Sequence, residues 1–366
     1  MKRKQTILII ITCIIASALI YIGHLKYPYI KVAANYKILP ATVVNIISKD
    51  NTTHLKTVLF EAKLPDNSSV LAIQTIDDTM SAPPQQVQLN NKIFITNYDD
   101  INSQYYNFIE YNRSSYTIII FAIFGLLIIL IGRKKGLYTV LSLVFTAGII
   151  FYYMLPAILN GANIYLVSTL TSIYIILVTL ILLNGLNKKT LCAIIGNSAG
   201  VTLAGLLTVW FSNLYKLTGL VKTDYTYLLQ LESGVKIDLL GIVFAAVIIG
   251  SVGAIMDIAM SLSSAMHEIS EASNNTITQS NLFKAGLNIG RDIIGTMTNT
   301  LILAYIGSSL GQILLLLAYQ SNFFFIINSE MIVVDILQAI IGSLGILLCV
   351  PLTITICSIV YSKRRA

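Results

Sequence analysis

Leu239-Leu240-Gly241-Ile242-Val243-Phe244-Ala245-Ala246-Val247-Ile248-Ile249-Gly250-Ser251-Val252-Gly253-Ala254-Ile255-Met256 runs for 18 residues without a charge and then meets Asp257. A run of that length and polarity suits a helix crossing about 30 Å of hydrocarbon. Taken from Ile237 to Ser261, it is the sixth of eight such runs. The others are Ile7 to Gly23, Tyr116 to Ile131, Leu137 to Ile158, Ile164 to Leu183, Leu191 to Ser212, Ile293 to Ala318 and Met331 to Tyr361. The composition agrees: 55% hydrophobic and 11% charged, with mean hydropathy +0.77, where a soluble domain carries about 25% charged residues. The expected fold class is an α-helical integral membrane protein of about eight transmembrane helices, with the lipid bilayer as its first partner.

Residues 1–26 read as a signal anchor helix. Lys2, Arg3 and Lys4 precede the apolar run, and the hydrophobic sequence continues through Ile22, past the cleavage-like Ala16-Ser17-Ala18. Residues 27–115 change character. Alternating segments at Ala41 to Ile47, Leu55 to Ala62, Ser69 to Thr75 and Lys92 to Thr96 are separated by Asp50-Asn51, Pro65-Asp66-Asn67 and Pro83-Pro84, the pattern of strands and turns. Four or five short strands suit a small extracytoplasmic β-rich domain, OB-like or barrel-like, between helices 1 and 2. Residues 116–366 form the seven-helix membrane domain.

The net charge of +7 does not point to nucleic acid, because the basic residues cluster at the ends of apolar runs. With the N-terminus inside, Arg133-Lys134-Lys135, Lys188-Lys189, Lys284 with Arg291, and Lys363-Arg364-Arg365 all fall on the cytoplasmic side. That makes 13 basic residues inside, counting the first three, against Lys216, Lys222 and Lys236 in the short outer loops. Both termini are therefore expected in the cytoplasm, with residues 27–115 on the extracytoplasmic side of the membrane. Cys13, Cys192, Cys349 and Cys357 lie in apolar runs without CxxC spacing, so no metal centre or disulfide framework is expected.

The last three spans carry ionisable residues at depths where charge is costly. Asp257, Ser261, Ser264 and Glu268 are spaced by four, three and four, which places them on one helical face. Arg291 and Asp292, then Thr296 and Asn299, repeat the spacing on the next span. Asp335, Gln338, Gly342, Gly345 and Cys349 make a third stripe on the last. Facing one another, the three would line a polar route, with Asp257 as the ion-responsive carboxylate and Arg291 as its counter-ion; as helix glue, they would satisfy one another instead.

Gly196-Asn197-Ser198-Ala199-Gly200 matches G-x-S-x-G, but it sits within an apolar run with no preceding strand, and no later span supplies a histidine base. Gly196, Gly200 and Ala204 instead read as a small-residue packing face. His267-Glu268 with Glu271 lacks the second histidine of a zinc helix, and no P-loop occurs. No cofactor and no enzymatic activity are expected.

Gly253-Ala254-Ile255-Met256-Asp257-Ile258-Ala259-Met260-Ser261, Gly286-Leu287-Asn288-Ile289-Gly290-Arg291-Asp292-Ile293-Ile294-Gly295-Thr296-Met297 and Asn299-Thr300-Leu301-Ile302-Leu303-Ala304-Tyr305 resemble the YibE/F family. The resemblance continues at Asn328-Ser329-Glu330, Gly342-Ser343-Leu344-Gly345 and Pro351-Leu352-Thr353, and its core spans residues 241–355. It implies a multi-pass bacterial membrane protein with a leader span, an external β domain and seven later spans. Gly311 stands where that family usually has proline, and Asp335 and Gln338 where it usually has Glu and Arg. Gly253-Ala254-x-x-Asp257 is also similar, at the level of fold, to the membrane repeats of SecD, SecF and RND-type transporters, which implies a proton-responsive role for Asp257. The resulting expectation is a transporter or ion-coupled translocation accessory moving an unknown substrate or ion. The alternative is a scaffold or sensor whose β domain binds an envelope protein partner or ligand.

Overall fold

The computed structural model describes residues 2–28, 36–51, 55–79, 83–98, 105–221, 223–229, 235–274, 276–319 and 322–362. The basic residues Lys222, Lys363, Arg364 and Arg365 lie outside the described residues. The chain divides into two compact units, residues 31–131 and residues 1–30 with 132–366.

In the first unit, five strands close into a barrel of order β1-β2-β3-β5-β4: β1 (Tyr36–Asn51), β2 (Leu55–Lys63), β3 (Ser69–Asp77), β4 (Lys92–Tyr98) and β5 (Tyr106–Tyr111). Strand β1 is long enough to pair with β2 through one end and β4 through the other, and register shifts at Val43/Asn45 and Ile46/Ser48 bend it around the barrel. The parallel pairing of β3 with β5 completes the closure. Alternation gives the core: Val58, Phe60 and Ala62 on β2 and Ile93 and Ile95 on β4 point inward with Val43, Ala72 and Val87. The chain reverses after β2 at Asn67 (φ 69°). Asp66 there accepts from the Ser68 amide at 3.0 Å and its hydroxyl at 2.5 Å, which holds the carboxyl below the usual range.

Gln74 faces inward at 1% exposure and ties the Pro83–Pro84 segment to the barrel. Its Nε2 donates to the Gln85 carbonyl at 2.9 Å, and its Oε1 accepts from the Val87 amide at 2.8 Å. Gln74→Leu strands that buried amide and is expected to cost about 1–3 kcal/mol, read as lost hydrogen-exchange protection at Val87.

The helices are α1 (Lys2–Lys26), α2 (Ser114–Ile149), α3 (Leu155–Leu159) after a π-turn at Ile150–Met154, α4 (Ile164–Asn184), α5 (Lys188–Leu214), α6 (Thr223–Leu229), α7 (Leu239–Ala272), α8 (Gln279–Tyr319), α9 (Phe323–Asn328) and α10 (Glu330–Tyr361). Among the described residues, seven helices are long and apolar enough to cross a membrane. The expected runs at 116–131 and 137–158 share one of them, the 46-residue stretch Ser114–Leu159. Arg133, with φ 49° and ψ −124°, breaks its helical geometry between the two runs.

At 34 and 41 residues, α7 and α8 are far longer than their apolar cores. At 1.5 Å per residue they reach about 50 and 60 Å, well beyond about 30 Å of hydrocarbon. The polar turns near their junction stay helical, with His267 and Glu271 paired at 3.4 Å one turn apart.

In the second unit α10 packs against α5, α7 and α8, α5 packs on α7, and α4 lies against both α5 and α7. Backbones approach closely where small residues meet. A Cβ on Gly200 would lie 2.8 Å from Cys349 Cβ and 3.3 Å from the Gly345 carbonyl, and one on Gly345 would lie 3.2 Å from Ala204. On Gly196 it would strike Thr353. Glu330 opens α10 and grips the loop after α5. Its carboxylate accepts from the amides of Thr218 at 2.7 Å and Gly219 at 2.6 Å, and from the Thr218 hydroxyl at 2.9 Å.

Candidate functional site

The register of α7 and α8 is set by two glycine contacts. A Cβ on Gly250 would meet the Tyr305 hydroxyl, and one on Gly286 would lie 2.9 Å from Met266 Sδ. The two helices are therefore antiparallel, and Thr298 stands at about the height of Asp257. Thr298 and Tyr305, seven residues apart, share one face of α8. Thr298 Oγ1 and the Tyr305 hydroxyl are both buried with no hydrogen-bond partner among the described residues.

Asp257 lies midway along α7 on the face that carries Gly250, Gly253 and Ser261. Its neighbours Ile255, Met256, Ile258 and Ala259 are buried in the bundle, whereas Asp257, Gly253 and Ser261 are exposed and Ser264 is half-buried. A Cβ on Gly253 would meet nothing within 4 Å. The carboxylate thus stands in an open notch on the outer face of α7, beside a seam where α8 contributes two orphaned hydroxyls.

The remaining sequence-identified residues do not converge on it. On α8 the side that meets α7 and α10 holds Leu282, Gly286, Gly290 and Leu301. Arg291, Asp292, Thr296 and Asn299 are all exposed. Asp257 and Arg291 form no ion pair among the described residues, so the expected counter-ion contact is not made within the chain. The third stripe is separate again. Asp335 and Gln338 are half-buried, one oxygen of Asp335 is buried without a partner, and Gly342 and Gly345 are packed against Leu301 and Ile255. Asp335 lies near Tyr225 of α6, whose phenol is raised first by burial and then by that carboxylate.

Three stripes read on single helices carry no information about rotation between helices, which is why the expected enclosed route and the observed faces differ. Thr298 escaped the sequence reading because it is out of phase with Asp292, Thr296 and Asn299. Its seven-residue separation from Tyr305 was the available signal.

Ser198 of the G-x-S-x-G match lies within the continuous helix α5, between buried Asn197 and Val201, rather than on a strand-to-helix turn. Among the described residues, no group of three or more metal-ligating side chains occurs. In the barrel, a cleft of about 530 Å³ is lined by Lys63, Lys92, Asn67, Asn90 and Asn112 among others.

No curated protein and no solved structure matches the chain. A family model described as YibE/F-like protein matches residues 120–363. That match takes in α4 through α10, the Asp257 notch and the outer face of α8 alike, and this multi-pass membrane protein belongs to the YibE/F-like family.

Proposed function

We propose that the protein is an ion-coupled transporter or translocation accessory of the bacterial cytoplasmic membrane, with Asp257 as the carboxylate that responds to the ion. The observation that carries this reading is an ionisable side chain on α7 directly after 18 uncharged residues, in a notch at about the height of the orphaned Thr298 hydroxyl of α8. A carboxylate at the end of such a run is costly to insert unless water, a cation or a proton reaches it. A group so placed gains or loses its charge with small changes in surroundings, which is what coupling requires. The topology that goes with it has eight crossings, both termini in the cytoplasm and the barrel outside.

The test uses purified protein in liposomes loaded with a pH-reporting dye. A proton or sodium gradient is expected to drive a pH or conformational response that Asp257→Asn abolishes while the variant still elutes as folded protein. An identical response from the variant would remove Asp257 from the mechanism.

A second reading, a non-transporting scaffold or sensor, is favoured by the barrel cleft. Two lysines and three asparagine amides around about 530 Å³ suit an anionic envelope ligand. Under this reading the gradient has no effect on wild type, and the cleft substitution Lys63→Glu weakens ligand or partner binding.

A further inference from the structure

Helices α5 and α10 run antiparallel along one seam, and their contacts repeat every four residues. A Cβ on Gly200 would lie 2.8 Å from Cys349 Cβ, and one on Gly196 would lie 3.1 Å from Thr353 Cα. The next step of the same row sets Cys192 against Cys357. Their thiols face each other and interact directly, and both side chains are buried. Ser263 of α7 closes a third side: its hydroxyl accepts from the Cys357 thiol at 3.5 Å and donates to the Lys189 carbonyl at 2.7 Å. The other two cysteines are placed differently. Cys349 turns its thiol to the Gly196 carbonyl at 3.5 Å, and Cys13 lies on α1.

We propose that Cys192 and Cys357 are an oxidisable dithiol, which a hydroperoxide converts to a disulfide that fastens α5 to α10. A disulfide joins residues whose Cα atoms are about 4.4–6.8 Å apart. Two backbones that nearly touch one turn away, with the thiols already facing, bring this pair into that range. The pair also lies near the helix ends. Cys192 is in the second turn of α5, which starts at Lys188, and Cys357 is one turn before α10 ends at Tyr361. Terminal turns open locally at small cost, so a small oxidant reaches these thiols although they are buried. The leading amides of α5 gather positive potential beside Cys192, which favours it as the attacking sulfur. That sulfur takes the terminal oxygen of the hydroperoxide: the O–O bond breaks, the thiol proton goes to the departing alkoxide, and an alcohol and a sulfenic acid result. The Cys357 sulfur then attacks the Cys192 sulfur, the S–S bond forms, and the hydroxyl leaves with the second thiol proton as water. Two electrons pass from the sulfurs to the peroxide oxygens. The product carries no charge, which suits a buried seam. This inference stands on the α5 and α10 seam alone and does not require Asp257 to carry an ion.

Full-length wild type in detergent is treated with cumene hydroperoxide, desalted, denatured and titrated with a maleimide. All four native cysteines are expected to label before treatment, two fewer after it, and all of them again after dithiothreitol. Peptide mapping without reductant is expected to find Cys192 linked to Cys357. Cys192→Ser and Cys357→Ser are each expected to abolish that link, while Cys13→Ser and Cys349→Ser leave it in place. Where a variant fails to fold, the map of wild type decides. Full labelling after treatment would overturn the proposal. So would a link that involves Cys13 or Cys349, a link between separate chains, or a loss of thiols that dithiothreitol does not reverse.

Discussion

Gly200→Val is expected to leave little folded protein. Helices α5 and α10 approach until the Gly200 and Gly345 backbones are nearly in contact, so the new side chain meets Cys349 Cβ at 2.8 Å and a main-chain carbonyl at 3.3 Å. A side chain can turn away; a carbonyl held in a helix cannot without moving the helix. Overpacking of a tight core costs about 1–3 kcal/mol where neighbours can adjust, and here the cost should exceed that range. The contact lies where α5, α7 and α10 join, so one displaced helix disturbs two interfaces. Gly125→Ala is the control. Nothing lies within 4 Å of its Cβ, and alanine is the better helix former by about 0.5–1 kcal/mol. Recovery of monodisperse protein from detergent and its melting temperature distinguish the two outcomes.

Glu330→Ala is expected to destabilise the protein by about 2–4 kcal/mol, since hydrogen bonds to a charged group contribute about 1.5–3 kcal/mol each before solvent exposure reduces them. Glu330 receives three donors from a loop that includes Lys216 at φ 52° and Gly219 at φ 83°. Gly219 has no room for a side chain, because a Cβ would lie 2.6 Å from the Leu239 carbonyl carbon. The loop is pinned between α7 and α10, and the carboxylate is what pins it. Loss of the charge should lower the melting temperature and open residues 216–221 to protease, while Glu330→Gln, which keeps one acceptor oxygen, should fall between Glu330→Ala and wild type.

Much of the architecture was legible because membrane insertion is written in one dimension. An apolar run marks a crossing wherever it packs, so α4, α5 and α10 coincide closely with their expected runs. The ends of α7 and α8 were not legible, since hydropathy falls at His267 and Asn281 while the helices continue. Strand β5 was missed as a separate segment because Tyr106–Tyr111 has no bounding proline or glycine. Its pairing with β3 joins residues distant in sequence. For the candidate site, periodicity identified which residues share a face of one helix, as Asp257 and Ser261 do on the continuous helix α7. It carried no information on which face turns inward. That depends on the contacts of Gly250, Gly286 and Gly290 with Tyr305, Met266 and Val350 on other helices.

The barrel's closure restricts how a partner can engage it. A closed sheet offers a visiting peptide little edge to extend, and what there is lies at the seam where β3 and β5 pair only through Ala72–Tyr106 and Ile73–Asn107. Recognition then falls mainly to the side chains around its clefts, where a single substitution can weaken docking while the scaffold stays intact.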